Sequence, residues 1–228
     1  MNLNSRVVSM RLRHSDNHNL NLYYGKTFEG FSIQQEKGPF IQEYLQRLHK
    51  AMQWTLEDHS RVFAFRIDLR LPVDISLPDY AYTNKVISKF IESFKAKIDH
   101  NRDMARRTNK YAHNCKVRYV WAKEIALSGK PHYHLAILLN RDAYRTLGYF
   151  ASEQSNLFNR LEEAWASALG LPVKAVGGLA HIPDNAIYHL NRDDWRGQDE
   201  FFYRASYLCK EATKAYGNRQ HAFGTSRG

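Results

Sequence analysis

Two short stretches of this chain carry residue types that do chemistry together. The first is His132-Tyr133-His134, inside the run Pro131 to Asn140. Side chains alternate across a strand, so the two imidazoles face the same way, roughly 7 Å apart at Cα. That spacing suits two ligands to one cation. The alternative is a pair of strand histidines that hydrogen-bond to their neighbours. The second stretch runs from Glu200 to Tyr216 and reads as a helix. At about 100° per residue, Tyr203, Tyr207, Lys210 and Lys214 fall within about 60° of one another. They lie nearly opposite an apolar stripe of Phe201, Phe202, Ala205, Leu208, Cys209, Ala212 and Tyr216. Two phenols one turn apart, beside two ammonium groups, suit attack on a phosphodiester. A free phenol has a pKa of about 10, so a nearby cation must help it ionise. A divalent metal would polarise the phosphoryl oxygens. Otherwise these are exposed tyrosines with lysines laid along the helix surface.

The elements that position these groups follow from periodicity. Pro131 to Asn140 is an apolar strand with Tyr133, Leu135, Ile137 and Leu139 towards a core. Lys116 to Ile125 is the strand before it, and the short connection Ala126 to Lys130 implies an antiparallel hairpin. Glu124 then sits near His132, as a third ligand or as a salt-bridge partner of Lys130. Two imidazoles and a carboxylate with open positions suit Mg²⁺ or Mn²⁺ bound to a phosphate better than structural zinc.

Upstream, residues 1–38 are polar and read as an arm, and residues 39–57 as an amphipathic helix. Arg61 to Leu71 is a strand with one apolar face. Its other face carries Arg66, Asp68 and Arg70, either solvated or lining a charged groove. Residues 80–107 form a long helix, and the run Arg102 to Lys116, with Arg106 and Arg107, is a candidate phosphate-contacting patch. Residues 152–169 form a further helix with Ser152 as N-cap and Gly170 as its stop. Leu179 to Ile182 and Ala186 to Leu190, joined by Pro183-Asp184-Asn185, read as a second hairpin. Its His181 and His189 are alternative third ligands.

Composition narrows the class. The 228 residues suffice for one domain with a small appendage, divided as 1–58 (arm and helix) and 59–228. A net charge of +10 favours a polyanionic partner, most commonly nucleic acid. The only cysteines, Cys115 and Cys209, lie far apart without CxxC spacing, which argues against a disulfide framework or zinc finger and fits a reducing cytoplasm. No apolar run is long enough for a membrane span and no signal core opens the chain, so a cytoplasmic protein is expected.

The His-Tyr-His strand and the Tyr-Arg-Ala-Ser-Tyr-Leu-Cys-Lys helix together resemble the HUH endonucleases, specifically rolling-circle replication initiators. The order from Phe63-Ala64-Phe65-Arg66-Ile67-Asp68-Leu69 through Pro131-His132-Tyr133-His134 to Phe223-Gly224-Thr225-Ser226-Arg227 is similar to the inovirus gene-2-like proteins and to the YagK/YfjJ-type domain of prophage regions. The likeness covers residues 60 to 228. It implies an α+β fold with a central antiparallel β-sheet, HUH or RRM-like, flanked by helices. It implies a divalent metal on His132, His134 and Glu124 and no small-molecule cofactor. It also implies nicking and rejoining of single-stranded or melted origin DNA through a 5′-phosphotyrosine, leaving a 3′-hydroxyl that primes synthesis. On matching positions, Tyr207 is the first nucleophile, Tyr203 the second, and Lys210 positions the phosphate or stabilises the phenolate. Arg66, Arg70, Arg106, Arg107 and Lys214 are the DNA-contacting candidates. No GxxxxGK[ST] occurs, so strand separation falls to a host helicase or to supercoiling. Rival readings are an HUH transposase or mobilisation relaxase, and a non-catalytic DNA-binding regulator.

Overall fold

A computed structural model describes residues 12–125, 129–148, 156–214 and 220–228. Four short strands come first: β1 (Leu22–Tyr23), β2 (Thr27–Phe28), β3 (Phe31–Ser32) and β4 (Phe40–Ile41). Helix α1 (Gln42–Asp58), strand β5 (Arg61–Leu69) and helix α2 (Asn84–Thr108) follow, then β6 (Arg118–Ile125) and β7 (Pro131–Asn140). The chain closes with α3 (Leu157–Leu169), β8 (Ala180–His181), β9 (Ile187–Asn191), α4 (Trp195–Ser206) and β10 (Phe223–Thr225). The fold is α+β. Its six-stranded antiparallel sheet has the order β10-β6-β7-β5-β8, with β9 also on β5.

Helices cover both faces of this sheet, which explains why β7 reads as a nearly continuous apolar run. Tyr133, Leu135, Ile137 and Leu139 pack with α2 and α3 through Phe90, Phe94, Leu161 and Trp165. Ala136 and Leu138, on the opposite face, pack with α1 and α4 through Leu45, Leu48, Phe201 and Phe202. Ala64, Ala122 and Ala136 on that second face are all fully buried. Their small side chains let those two helices approach the backbone closely. His132 and His134 share the face but lie beyond this packing, towards the start of β7.

Leu22, Phe28, Phe31 and Phe40 belong to the same core as α1 and the sheet. The arm therefore folds into the main body, and position 58 separates no two cores. Among the described residues, no helix is long and apolar enough to cross a membrane.

Several element boundaries differ from expectation. Residues 180–191 form no hairpin: β8 and β9 both run antiparallel to β5, one after the other along it. The turn at Pro183-Asp184-Asn185 bulges from this edge without reversing it, and Arg66 N–H bridges the gap to the Ala186 carbonyl. Helix α3 is capped by Asn156, whose side chain accepts from Asn159 N–H; Ser152 lies outside the described residues. Gly170 ends it with φ of 69°, a left-handed turn that glycine adopts without strain. The last helix starts at Trp195, with Asp194 accepting from the Arg196 and Gly197 amides, and its α-helical turns end at Ser206. A 3₁₀ turn (Tyr207–Cys209) follows, and Lys210 is extended, bridged to Phe40. The continuous helix expected through Tyr216 is thus broken, and Tyr216 lies outside the described residues.

Candidate metal and phosphate site

The sheet ladder assembles the site. In the β6–β7 register Glu124 stands directly opposite His132, and in the β5–β7 register Asp68 stands opposite His134. Non-local pairing thereby places four polar side chains on one face at one end of three adjacent strands.

The imidazoles point at one another, with His132 Nε2 and His134 Nε2 2.8 Å apart. The Glu124 Oε2 atom lies 3.5 Å from His134 Nε2 and 3.9 Å from His132 Nε2. These three groups can hold a metal ion: one donor atom from each lies within 4.8 Å of the others. Asp68 Oδ1 meets His134 Nδ1 at 2.6 Å. That carboxylate fixes the proton on Nδ1 and turns the Nε2 lone pair towards the cluster, as outer-shell carboxylates do for metal-binding histidines. His132 Nδ1 is buried without a hydrogen-bond partner among the described residues.

The Glu124 carboxylate is divided. Its Oε2 faces the imidazoles, whereas Oε1 takes Lys210 Nζ at 3.2 Å and Lys214 Nζ at 3.3 Å. Burial works to raise its pKa, but the His134 hydrogen bond and the Lys214 charge hold it far below the ordinary carboxylate range. Asp68 is likewise held down, its burial outweighed by the His134 bond. Burial and the neighbouring His134 charge lower the His132 pKa. His134 shifts the other way, because hydrogen bonds to Asp68 and Glu124 outweigh its burial. His134 is therefore the more basic of the two imidazoles. The donor set of two soft-to-borderline nitrogens and one carboxylate oxygen fits a divalent cation with open positions.

Tyr207 borders this cluster. Lys210 Nζ donates to its hydroxyl at 2.6 Å, and its ring stands edge-on to His134 at 5.9 Å between centroids. The Arg66 guanidinium lies 5.4 Å above the same ring. Arg66 is buried, 3.8 Å from Asp68, and its Nε has no hydrogen-bond partner among the described residues. The hydroxyl of Tyr207, the Lys210 ammonium, the Glu124 carboxylate and both imidazoles thus form one connected polar chain.

Other expected residues fall elsewhere. Tyr203, one turn before Tyr207, is 40% exposed, and its hydroxyl has no hydrogen-bond partner among the described residues. Arg70 is exposed just after β5. Lys214 is buried against Glu124 rather than displayed on a surface, and burial lowers its pKa. Arg106 pairs with Asp103 and Asn114, and Asn114 in turn holds Asn140 at the far end of β7. Asn140 is eight residues from His132, roughly 26 Å along a strand, so Arg106 does not join the site. Arg107 is exposed on the same last turn of α2. His181 is exposed opposite Asp68, and His189 bonds the Arg145 carbonyl at 3.2 Å. Asp68 is the residue whose bond to His134 went unforeseen. Its place on a polar strand face was visible, but its partner depends on the β5–β7 register.

Residues 24–226 match the YagK/YfjJ C-terminal domain profile. Protein YfjJ of Escherichia coli (strain K12) is 30% identical over 203 residues, which cover 85% of this chain and 98% of that protein. Protein YagK of the same strain is 33% identical over 210 residues, covering 89% and 98%. Among solved structures, the N-terminal nuclease domain of Minute virus of mice non-structural protein 1, described as coordinating Zn²⁺ in its active-site pocket, aligns over 79% of this chain and 78% of that one. The identity is 11% and the TM-score 0.23.

Proposed function

We propose that this chain, which belongs to the YagK/YfjJ C-terminal domain family, is a metal-dependent HUH-type nuclease that nicks and rejoins single-stranded DNA through a tyrosine. The reaction would initiate rolling-circle replication of a phage, prophage or related mobile element. The observation that carries the reading is the link from the Tyr207 hydroxyl through Lys210 to Glu124, beside two imidazoles aimed at one point.

A divalent cation, Mg²⁺ or Mn²⁺, on His132, His134 and Glu124 would polarise the scissile phosphate. The chain's own residues do the rest. Lys210 donates to the Tyr207 oxygen and stabilises it as a phenolate. Arg66 offers a buried, unpartnered Nε–H close to that ring, a donor for a non-bridging phosphate oxygen. The Tyr207 oxygen attacks phosphorus as the bond from phosphorus to the 3′-oxygen breaks. The new bond is the 5′-phosphotyrosine, and the phenolic proton is balanced by the one taken up on the leaving 3′-hydroxyl. In rejoining, a 3′-hydroxyl attacks the same phosphorus and the tyrosine leaves. Tyr203, one turn away and solvent-accessible, serves as the second nucleophile. The DNA must arrive unpaired, by supercoiling or a host helicase, in the cytoplasm.

The test is incubation with single-stranded origin or phage DNA and Mn²⁺, followed by a denaturing gel. A covalent protein–DNA band, lost in Tyr207→Phe and in His134→Ala, is expected. DNA retained without any cut by the wild-type protein would leave a binding protein and refute the nuclease.

A further inference from the structure

A second basic surface plays no part in the chemistry above. A groove of about 1010 Å³ runs along the outer edge of the sheet, walled by α1 and α2 and floored by β6 and β10. Among the described residues, six Lys or Arg side chains line it against one carboxylate, Asp99. Two of the six are neutralised locally. Arg118 donates to Asp58 at 2.6 and 2.9 Å, and Lys116 shares that carboxylate at 3.6 Å. Arg47 and Lys50 on α1, Lys95 on α2 and Arg227 after β10 have no carboxylate partner among the described residues, so their charge is available to a ligand.

Aromatic faces are interleaved with these cations. Lys95 Nζ stands 5.2 Å over the Tyr119 ring, and the Arg118 guanidinium 5.5 Å over Trp54. Both rings are half-buried, and each keeps some accessible surface within the groove. The floor is held flat by Gly224: a Cβ there would come within 2.5 Å of the Trp121 indole, which lies against the glycine backbone. Cations beside aromatic rings in one groove are the two elements that track an unpaired nucleic acid strand.

We propose that this groove binds a single-stranded polynucleotide, with phosphates on Arg47, Lys50, Lys95 and Arg227 and bases stacked on Trp54 and Tyr119. Stacking selects unpaired strands, because a duplex hides its base faces. The groove is separate from the metal and tyrosine cluster. Tyr119 and Glu124 are five residues apart on β6, roughly 17 Å. The proposal therefore goes beyond the cleavage reading and holds whether or not the chain cuts DNA.

The experiment uses the full chain and a fluorescein-labelled twenty-nucleotide oligothymidylate, in EDTA so that no cleavage intervenes. Anisotropy is recorded across a salt series. The double variant Arg47→Glu/Lys50→Glu, altered only at exposed positions, is expected to bind at least tenfold more weakly. Its log K against log salt slope should flatten by about 1.4, two single-strand phosphate contacts. Trp54→Ala should weaken binding by roughly 5- to 160-fold, with Trp54→Phe restoring most of it. Arg196→Glu, an exposed charge reversal on α4 outside the groove, should bind as the wild type does. Binding of the double variant within twofold of wild type would overturn the proposal, as would equal competition by a duplex of the same length. Nicking is read separately in Mn²⁺, so its absence would sink the nuclease and leave the groove standing.

Discussion

Replacing Asp68 by Asn isolates the contribution of the carboxylate behind His134. The side chain keeps its size, and the 2.6 Å contact from Oδ1 to His134 Nδ1 can persist in only one amide orientation. In the other, the amide N–H faces Nδ1, the ring proton moves to Nε2, and the lone pair needed by a metal is lost. Outer-shell losses of this kind cost about 10- to 100-fold in metal affinity, roughly 1.4–2.7 kcal/mol. The pH dependence adds a second signature. The folded His134 pKa lies above its ordinary 6.5. Metal binding therefore weakens as pH falls through that raised value, because the proton competes for the ring. The Asp68 bond is among the interactions that raise it, so Asp68→Asn should move the onset of this competition to lower pH while lowering affinity at neutral pH. Mn²⁺ titration by calorimetry between pH 5.5 and 8, with metal-dependent thermal shift as a cross-check, reads both quantities. Wild-type affinity in Asp68→Asn, with an unmoved pH profile, would refute the orienting role. Loss in His134→Ala but not in Asp68→Asn would assign the site to the ring alone.

Two further outcomes follow from buried contacts. Lys214→Met removes one of the two ammonium groups on Glu124 Oε1 and should lower stability by about 1–3 kcal/mol in urea unfolding, the remaining Lys210 limiting the loss. Glu124 has a depressed folded pKa, so its stabilisation is complete above the ordinary 4.5 and is lost as pH falls towards the folded value. In Lys214→Met the folded value should move back towards 4.5, so that loss should be smaller and complete at a higher pH, and an acid-unfolding curve superimposable on the wild type would count against the pairing. Gly224→Ala would push a methyl to within 2.5 Å of the rigid Trp121 indole, and should destabilise the β6–β10 edge by about 1–3 kcal/mol. An unchanged thermal midpoint would mean that the ring has room to withdraw.

Local pattern and distant pairing were legible to different degrees. The alternation along Pro131–Asn140 is a property of neighbouring residues, and it put His132 and His134 on one face without any tertiary information. The short connection after Ile125 fixed the β6–β7 hairpin, and with it the approach of Glu124 to His132. Asp68 shows where such reasoning stops: its strand was read, but which β7 residue it opposes is set across more than sixty intervening positions. The last helix failed for a different reason. Its apolar stripe continues past Ser206, yet Lys210 is drawn out of the helix by its bridge to Phe40, a contact with the N-terminal segment that periodicity does not reveal. Lys214 then turns inward to a buried carboxylate, an environment a helical wheel assigns to solvent. Arg106 and Arg107 belong to a basic run that reads like a nucleic-acid contact, but α2 carries them to the opposite end of the sheet.

The direct opposition of Glu124 to His132 and of Asp68 to His134 has an architectural consequence. The backbone ladder acts as the ruler for the whole cluster, with rungs about 4.8 Å apart, and the connections at the strand ends have no part in setting the distances between donors. Lengthening those connections would leave the donors where they are. One extra residue inside β5, β6 or β7 would turn a donor towards the opposite helical layer and scatter the set at once.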